Sequence, residues 1–254
     1  MSEPVDNVLY DVLADWYHLL TAPEEAREEA ALVLRLLRGA VEGPLDTLLE
    51  LGCGGGNLAS HLHGTLRLTL TDLSEPMLRQ SRKLNPASEH VRGDMRTLRL
   101  GRAFDAVLVH DAVQYMTSAD DLRAAVETAF AHVRPGGAAV FVPDAVRETW
   151  TPSTENGGHD GDGRSLRYLE WTFDPDPDDT TFVTDFAIMV RLDDGTTRVV
   201  HDRHVEGLFP EATWLGLLRD AGFDTEAVTD EWGRELFIAR RPGEPGTAGQ
   251  EEVG

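Results

Sequence analysis

Residues Glu50-Leu51-Gly52-Cys53-Gly54-Gly55-Gly56-Asn57 set a carboxylate two positions before a G-x-G-x-G run, directly after the apolar pair Leu48-Leu49. Glycines in a loop tolerate positive φ and let a ligand lie close to backbone, so this stretch predicts a buried strand that opens into a ligand-binding loop. A dinucleotide fingerprint would need its third glycine where Asn57 stands. Arg67–Asp72 ends in a second carboxylate roughly 20 residues past the loop, the distance at which an acid meets ribose hydroxyls in doubly wound folds. His110-Asp111 ends a further strand, Phe104–Asp111, at the edge where open α/β sheets place their ligands, and Tyr115 follows one helical turn later. Histidine takes a proton readily near neutral pH, so His110, Asp111 and Tyr115 are candidates for the chemical step.

Two further polar clusters lie downstream. His159-Asp160 sits in a glycine-rich loop, and His159 is a fourth catalytic candidate. In His201-Asp202-Arg203-His204, a period of two puts His201 and Arg203 on one face of a strand and Asp202 and His204 on the other. Asp160-Gly161-Asp162-Gly163 lacks the full calcium-loop pattern, and no cluster has convincing metal-ligand spacing, so no metal is expected.

The elements that must position these residues follow from the pattern. Val5 to about Leu20 has apolar residues at helical spacing, and Pro23-Glu24-Glu25 opens a second helix to about Arg38 with Gly39 as its stop. Leu58–His63 reads as a helix after the glycine loop. Ser74-Glu75-Pro76-Met77 begins another with a serine cap, and one more starts near Ala119. Val91-Arg92-Gly93-Asp94-Met95 is a third strand end, and Arg134-Pro135-Gly136-Gly137 closes a helix and leads into a strand over Ala138–Pro143. This alternation predicts a parallel sheet with right-handed crossovers. Residues 151–165 read as loop, followed by strands near Arg167–Phe173, Thr181–Val190 and Thr196–Val205 that form an antiparallel meander. A helix over Pro210–Asp220, stopped by Gly222, and a hairpin over Thr225–Asp230 and Glu235–Arg240 complete the fold.

The glycine loop with Glu50, the acids at 72 and 94, the 104–111 strand and the Arg134–Gly137 turn resemble, in order and spacing, the class I S-adenosylmethionine-dependent methyltransferases, strongly over roughly residues 45–145. The resemblance implies an α/β, Rossmann-like doubly wound seven-stranded sheet with an antiparallel β insertion. It implies S-adenosyl-L-methionine as cofactor, held by Glu50, Gly52, Cys53 and Gly54 near the methionine moiety, by Asp72 at the ribose, by Asp94 at the adenine amino group with Leu73 and Met95 sandwiching the ring, and by His110. It divides the chain into an N-terminal helical lid (1–40), a core (41–145 and 206–241), an insertion over the acceptor (146–205) and a disordered tail (242–254). The insertion resembles that of amino-sugar N-methyltransferase-like members, so a small-molecule acceptor methylated at N or O, in a biosynthetic pathway, is expected. The alternative is a catalytically inactive cofactor-binding regulatory or partner protein.

Composition narrows the partners. At 254 residues and 41% hydrophobic content the chain can form one substantial core. With 23 basic against 45 acidic side chains, a net charge of −22 opposes binding to phosphate backbones, so no nucleic-acid substrate is expected. No apolar run approaches spanning length and no secretory signal is evident, so neither a membrane partner nor export is expected. The lone Cys53 fits a reducing, cytoplasmic setting as a small loop residue, and a homodimer is the candidate assembly.

Overall fold

The structure, a computed structural model, describes residues 8–243. Short 3₁₀ turns at Ala14–Trp16 and Pro23–Ala26 lead into α1 (Tyr17–Leu20) and α2 (Arg27–Ala40). Then come β1 (Thr47–Leu51), β2 (Arg67–Asp72), α3 (Glu75–Leu84), β3 (Glu89–Arg92), β4 (Phe104–His110), α4 (Ala119–His132) and β5 (Val133–Val142). The strands β6 (Ser153–Gly157), β7 (Ser165–Phe173), β8 (Thr181–Arg191) and β9 (Thr197–Gly207) precede α5 (Glu211–Asp220), β10 (Asp224–Thr229) and β11 (Glu235–Arg240).

The main sheet has seven strands in the order β10-β11-β5-β4-β1-β2-β3, with β11 antiparallel to its neighbours. Its central strands are apolar on both faces, as a doubly covered parallel sheet requires. Leu48, Ala106 and Leu108 face the core under α2 and α3, while Leu49, Leu51, Val107 and Val109 face the core under α4 and α5. Ser74 caps α3 by accepting from Met77 N, as its sequence predicts. The second sheet is antiparallel, in the order β6-β7-β8-β9.

Five local expectations change. The first helix does not run to Leu20 unbroken: Leu9 N donates to Asp202 Oδ2 at 2.7 Å rather than to a helical carbonyl, and Leu9 and Leu13 bury against the insertion sheet. The start expected at Val5 and the tail from 244 lie outside the described residues. Gly39 does not stop the second helix, which continues to Ala40; Gly43, at φ 79°, takes the left-handed turn instead. Leu58–His63 shrinks to a 3₁₀ turn, Ala59–His61, tied to the N-terminal segment by His61 Nε2 at 2.7 Å from Pro23 O. β5 begins at Val133 rather than after the Pro-Gly-Gly turn, with Gly136 at φ 73° inside it. The meander has four strands, because Ser153–Gly157 pairs antiparallel with β7, with Ser153 also bonded to the Thr172 hydroxyl.

Candidate active site

Parallel register brings the carboxyl ends of the central strands level: Leu51 lies opposite Thr71 and Val109, and His110 opposite Val142. From Asp144 past β5, through His110, Glu50 and the glycine loop, to Asp72 and Asp94, these strand ends line one cavity of about 920 Å³. Tyr10 and Tyr17 from the N-terminal segment and Glu206 from β9 complete its wall.

At the loop end, Gly52, Gly54 and Gly56 all have positive φ. Gly52 N and Cys53 N each donate to Thr71 O at 2.8 Å, and Asp72 braces the loop, Oδ2 accepting from Gly54 N and Oδ1 from Ser74 N, both at 2.8 Å. Burial raises the Asp72 carboxyl, with the amides of Ser74 and Gly54 opposing it. Glu50 is 2% exposed and its Oε2 has no hydrogen-bond partner. Burial pushes it up to about 7 against the lowering influence of His110. Burial pushes the Cys53 thiol well up, so this side chain packs rather than reacts.

A Cβ on Gly52 would lie 2.4 Å from Ala112 Cβ, at φ 80°. Gly52→Ala is therefore expected to cost about 1–3 kcal/mol through strain and overlap, read as a lowered Tm. An unchanged Tm would show that the loop has room the geometry denies.

At the far end of the loop half, Asp94 is already held by Arg96, whose Nη2 lies 2.6 Å from Oδ2 while Nη1 reaches Asp121 at 3.0 Å. Hydrogen bonding from Arg96 lowers Asp94. Leu73 is 59% exposed beside it, and Met95 packs against the core.

The other half of the cavity differs from the sequence expectation. His110 is not placed as a base: Nε2 lies 2.9 Å from Glu29 Oε1 and Nδ1 lies 3.2 Å from Asp111 Oδ2. Burial works against its charge, but Asp111 and Glu29 outweigh that and raise it to about 9, so it carries its proton at neutral pH. Asp111 holds the described residues' one positive φ outside glycine, 41°, which is backbone strain of the kind that collects at functional sites. Burial pushes the Asp111 carboxyl up, and burial together with Asp111 pushes Asp144 well up. Glu206, buried and bonded by Thr184, is raised to about 8 by burial and by Asp144. Tyr115 lines the same wall. His159 does not reach the cavity; its Nε2 lies 3.3 Å from Glu25 and its backbone N donates to Leu19 O, so it ties the insertion to α1.

Asp144, Glu206 and Glu29 are the site residues sequence reasoning passed over. Asp144 had one available signal, since it follows β5 as Asp111 follows β4.

Residues 48–137 match the family model described as "Methyltransferase domain". Over 237 residues the chain is 30% identical to the dTDP-3-amino-3,4,6-trideoxy-alpha-D-glucopyranose N,N-dimethyltransferase of Streptomyces venezuelae, spanning 89% of this chain and 96% of that protein. The crystal structure of Streptomyces venezuelae DesVI superposes with a TM-score of 0.81 at 28% identity, over 91% of this chain and 98% of the other. An amino pentose methyltransferase from Micromonospora echinaspora, involved in calicheamicin biosynthesis, shares the fold with a TM-score of 0.76 at 24% identity, over 95% of this chain and all of that one. With the glycine loop, the acids at the strand ends and a cavity joining them, the chain belongs to the class I S-adenosylmethionine-dependent methyltransferases that act on small molecules.

Proposed function

We propose that this enzyme methylates an amino group on a small, sugar-like molecule. The observation that carries the reading is the carboxyl set on the acceptor half of the cavity. Asp111, Asp144 and Glu206 are pushed up by burial, and Asp144 raises Glu206 in turn, so a cationic amine entering there relieves all three. The guanidinium groups on the cavity wall are at the opposite end, where Arg92 donates to Leu73 O and Arg96 grips Asp94. The names of two relatives point the same way, since they describe amino-sugar acceptors.

The loop half fits the cofactor. The partnerless buried oxygen of Glu50 suits the ammonium of its methionine moiety, and Asp72, with lone pairs left beyond its two amide bonds, suits the ribose. Leu73 and Met95 are assigned to the adenine faces, and its amino group would share Asp94 with Arg96. When bound, the cofactor supplies an electrophilic methyl on sulfur, transferred in line. The protein's own contribution is to hold the acceptor nitrogen in line and keep water out. The N-terminal segment serves as the lid, with Tyr17 packed over Gly54 and Gly55, and the insertion covers the acceptor. His110 acts as a fixed positive charge between Glu29 and Asp111 rather than as a proton acceptor.

Incubation with S-adenosylmethionine and paired acceptors, amino sugars against their hydroxyl counterparts, is expected to release S-adenosylhomocysteine only with the amines. Turnover on the hydroxyl series alone would contradict the reading, and no turnover with any acceptor would favour a binding-only protein.

A further inference from the structure

Tyr115, after β4, and His204 and Asp202, both on β9, form a run of hydrogen-bonding groups leading back from the cavity wall. Tyr115 Oη, on the wall, lies 2.7 Å from His204 Nδ1, and His204 Nε2 lies 3.0 Å from Asp202 Oδ2. His204 and Asp202 are each 4% exposed, behind the wall. Asp202 Oδ2 also accepts from Leu9 N at 2.7 Å, which fixes the carboxylate in place. With Nε2–H donated to Asp202, Nδ1 of His204 is left as an acceptor, and the Tyr115 hydroxyl is positioned to donate to it. The same hydroxyl also has Tyr10 Oη as an acceptor at 2.9 Å, so its one proton is shared between His204 Nδ1 and Tyr10, and its oxygen is left to accept from a group in the cavity. Tyr10, Tyr115 and Phe186 pack their rings within 6 Å of the imidazole, centroids at 5.5, 5.7 and 5.0 Å, and exclude water from it.

We propose that Tyr115, His204 and Asp202 are the proton path of the reaction: Tyr115 contacts the acceptor's N–H, and His204, positioned by Asp202, receives the Tyr115 proton. The assignment rests on the N-methylation reading above. An acceptor that enters as an ammonium gives a proton to Tyr115 Oη while the phenolic proton passes to His204 Nδ1. The freed nitrogen lone pair forms the N–C bond as the methyl C–S bond breaks, and the electron pair stays on sulfur. The imidazolium, held by Asp202, returns its proton to solvent after release. Reactants and products balance as ammonium plus sulfonium giving methylated ammonium, thioether and one proton.

The surroundings suit a group that is neutral at rest and charged in passing. Burial lowers the pKa of His204 while Asp202 opposes that, and burial with Tyr10 and Glu206 keeps the Tyr115 phenol un-ionised. The charged and titratable groups facing the path are Asp202 and Glu206 of β9, Asp144 beyond β5, and Tyr10, itself near Tyr17. Asp202 stabilises a transient imidazolium, while Glu206 and Asp144, pushed up by burial, face Tyr115. Tyr115 is thus the catalytic residue, and His204 and Asp202 act through it.

The test compares wild type with Tyr115→Phe, His204→Gln and Asp202→Asn, measuring kcat, KM and the pH profile on an amino-sugar acceptor, and S-adenosylhomocysteine affinity by calorimetry. Tyr115→Phe and His204→Gln are expected to lower kcat about 10²–10⁴-fold with cofactor affinity within about twofold. The acidic limb of kcat against pH should vanish in His204→Gln and shift in Asp202→Asn. Nitrogen-15 NMR of wild type should show the Nε2–H tautomer of His204, with Nδ1 shifted in Tyr115→Phe, a readout independent of turnover. Folded variants that keep kcat within tenfold and the same pH limb overturn the path. If His204→Gln does not fold, Tyr115→Phe, which removes one hydroxyl, decides the question in the same way. A wild type that methylates no amine overturns the N-methylation reading and the path together, whereas an active wild type with unaffected variants overturns the path alone.

Discussion

Asp72→Ala is expected to weaken S-adenosylhomocysteine binding by about 10- to 100-fold, a loss of about 1.5–3 kcal/mol of charge-assisted hydrogen bonding. Two effects add. The carboxylate that would accept from the ribose is removed, and so is the brace that accepts from Gly54 N and Ser74 N at 2.8 Å on either side. Asp72→Asn separates them in part: its amide oxygen still accepts one backbone N–H, while its NH₂ faces the other donor. Calorimetric affinity alongside Tm distinguishes the outcomes. A folded Asp72→Ala protein with unchanged affinity would remove Asp72 from the cofactor site, whereas a large Tm loss with recovered affinity at low temperature would leave only the bracing role.

Glu29→Ala should be the most destabilising single change in the site, about 3 kcal/mol, because it strands a buried imidazolium. Glu29 lies 2.9 Å from His110 Nε2 and also contacts Arg234, which itself pairs with Asp230 at 2.9 Å. Burial opposes the Glu29 charge, yet His110 and Arg234 bring it down to about 2. Because His110 is raised to about 9 in the folded chain, its share of stability is complete below its unfolded value near 6.5 and is lost as pH rises through 9. Glu29, depressed when folded, contributes above its unfolded value and loses that contribution as pH falls through about 2. Tm measured from pH 6 to 10 should therefore decline in wild type and decline less in Glu29→Ala. Parallel curves would mean that His110 is not held charged by this pair.

The sheet and the loop half of the site were legible because their signals are local. A short apolar run ending in an acid, repeated with helices between, determines both the strands and which residues stand at their carboxyl ends. Asp72, Asp94, His110 and Tyr115 were found on that basis and line the cavity together. The meander's face pattern was also legible: Asp202, His204 and Glu206 are buried, while His201 and Arg203 meet Asp185 on the exposed side. What stayed hidden depends on contacts distant in sequence. Nothing near His110 announces Glu29 from α2, and this partner turns the imidazole from a base into a fixed cation. Ser153–Gly157 lacks any apolar residue to mark it as a strand, since this edge strand is held by its pairing with β7 and by the Ser153–Thr172 bond rather than by a buried apolar face. The N-terminal aromatic spacing read as one helix, but burial of Leu9 and Leu13 against the insertion, with Leu9 N committed to Asp202, breaks it into turns.

The most direct measurement is a crystal structure with S-adenosylhomocysteine bound. The ribose should meet Asp72, the ammonium should approach Glu50, and the sulfur should open toward Tyr115, Asp144 and Glu206 across the same cavity. A thioether sulfur turned away from those three residues, or a ligand lying outside the cavity, would contradict the account.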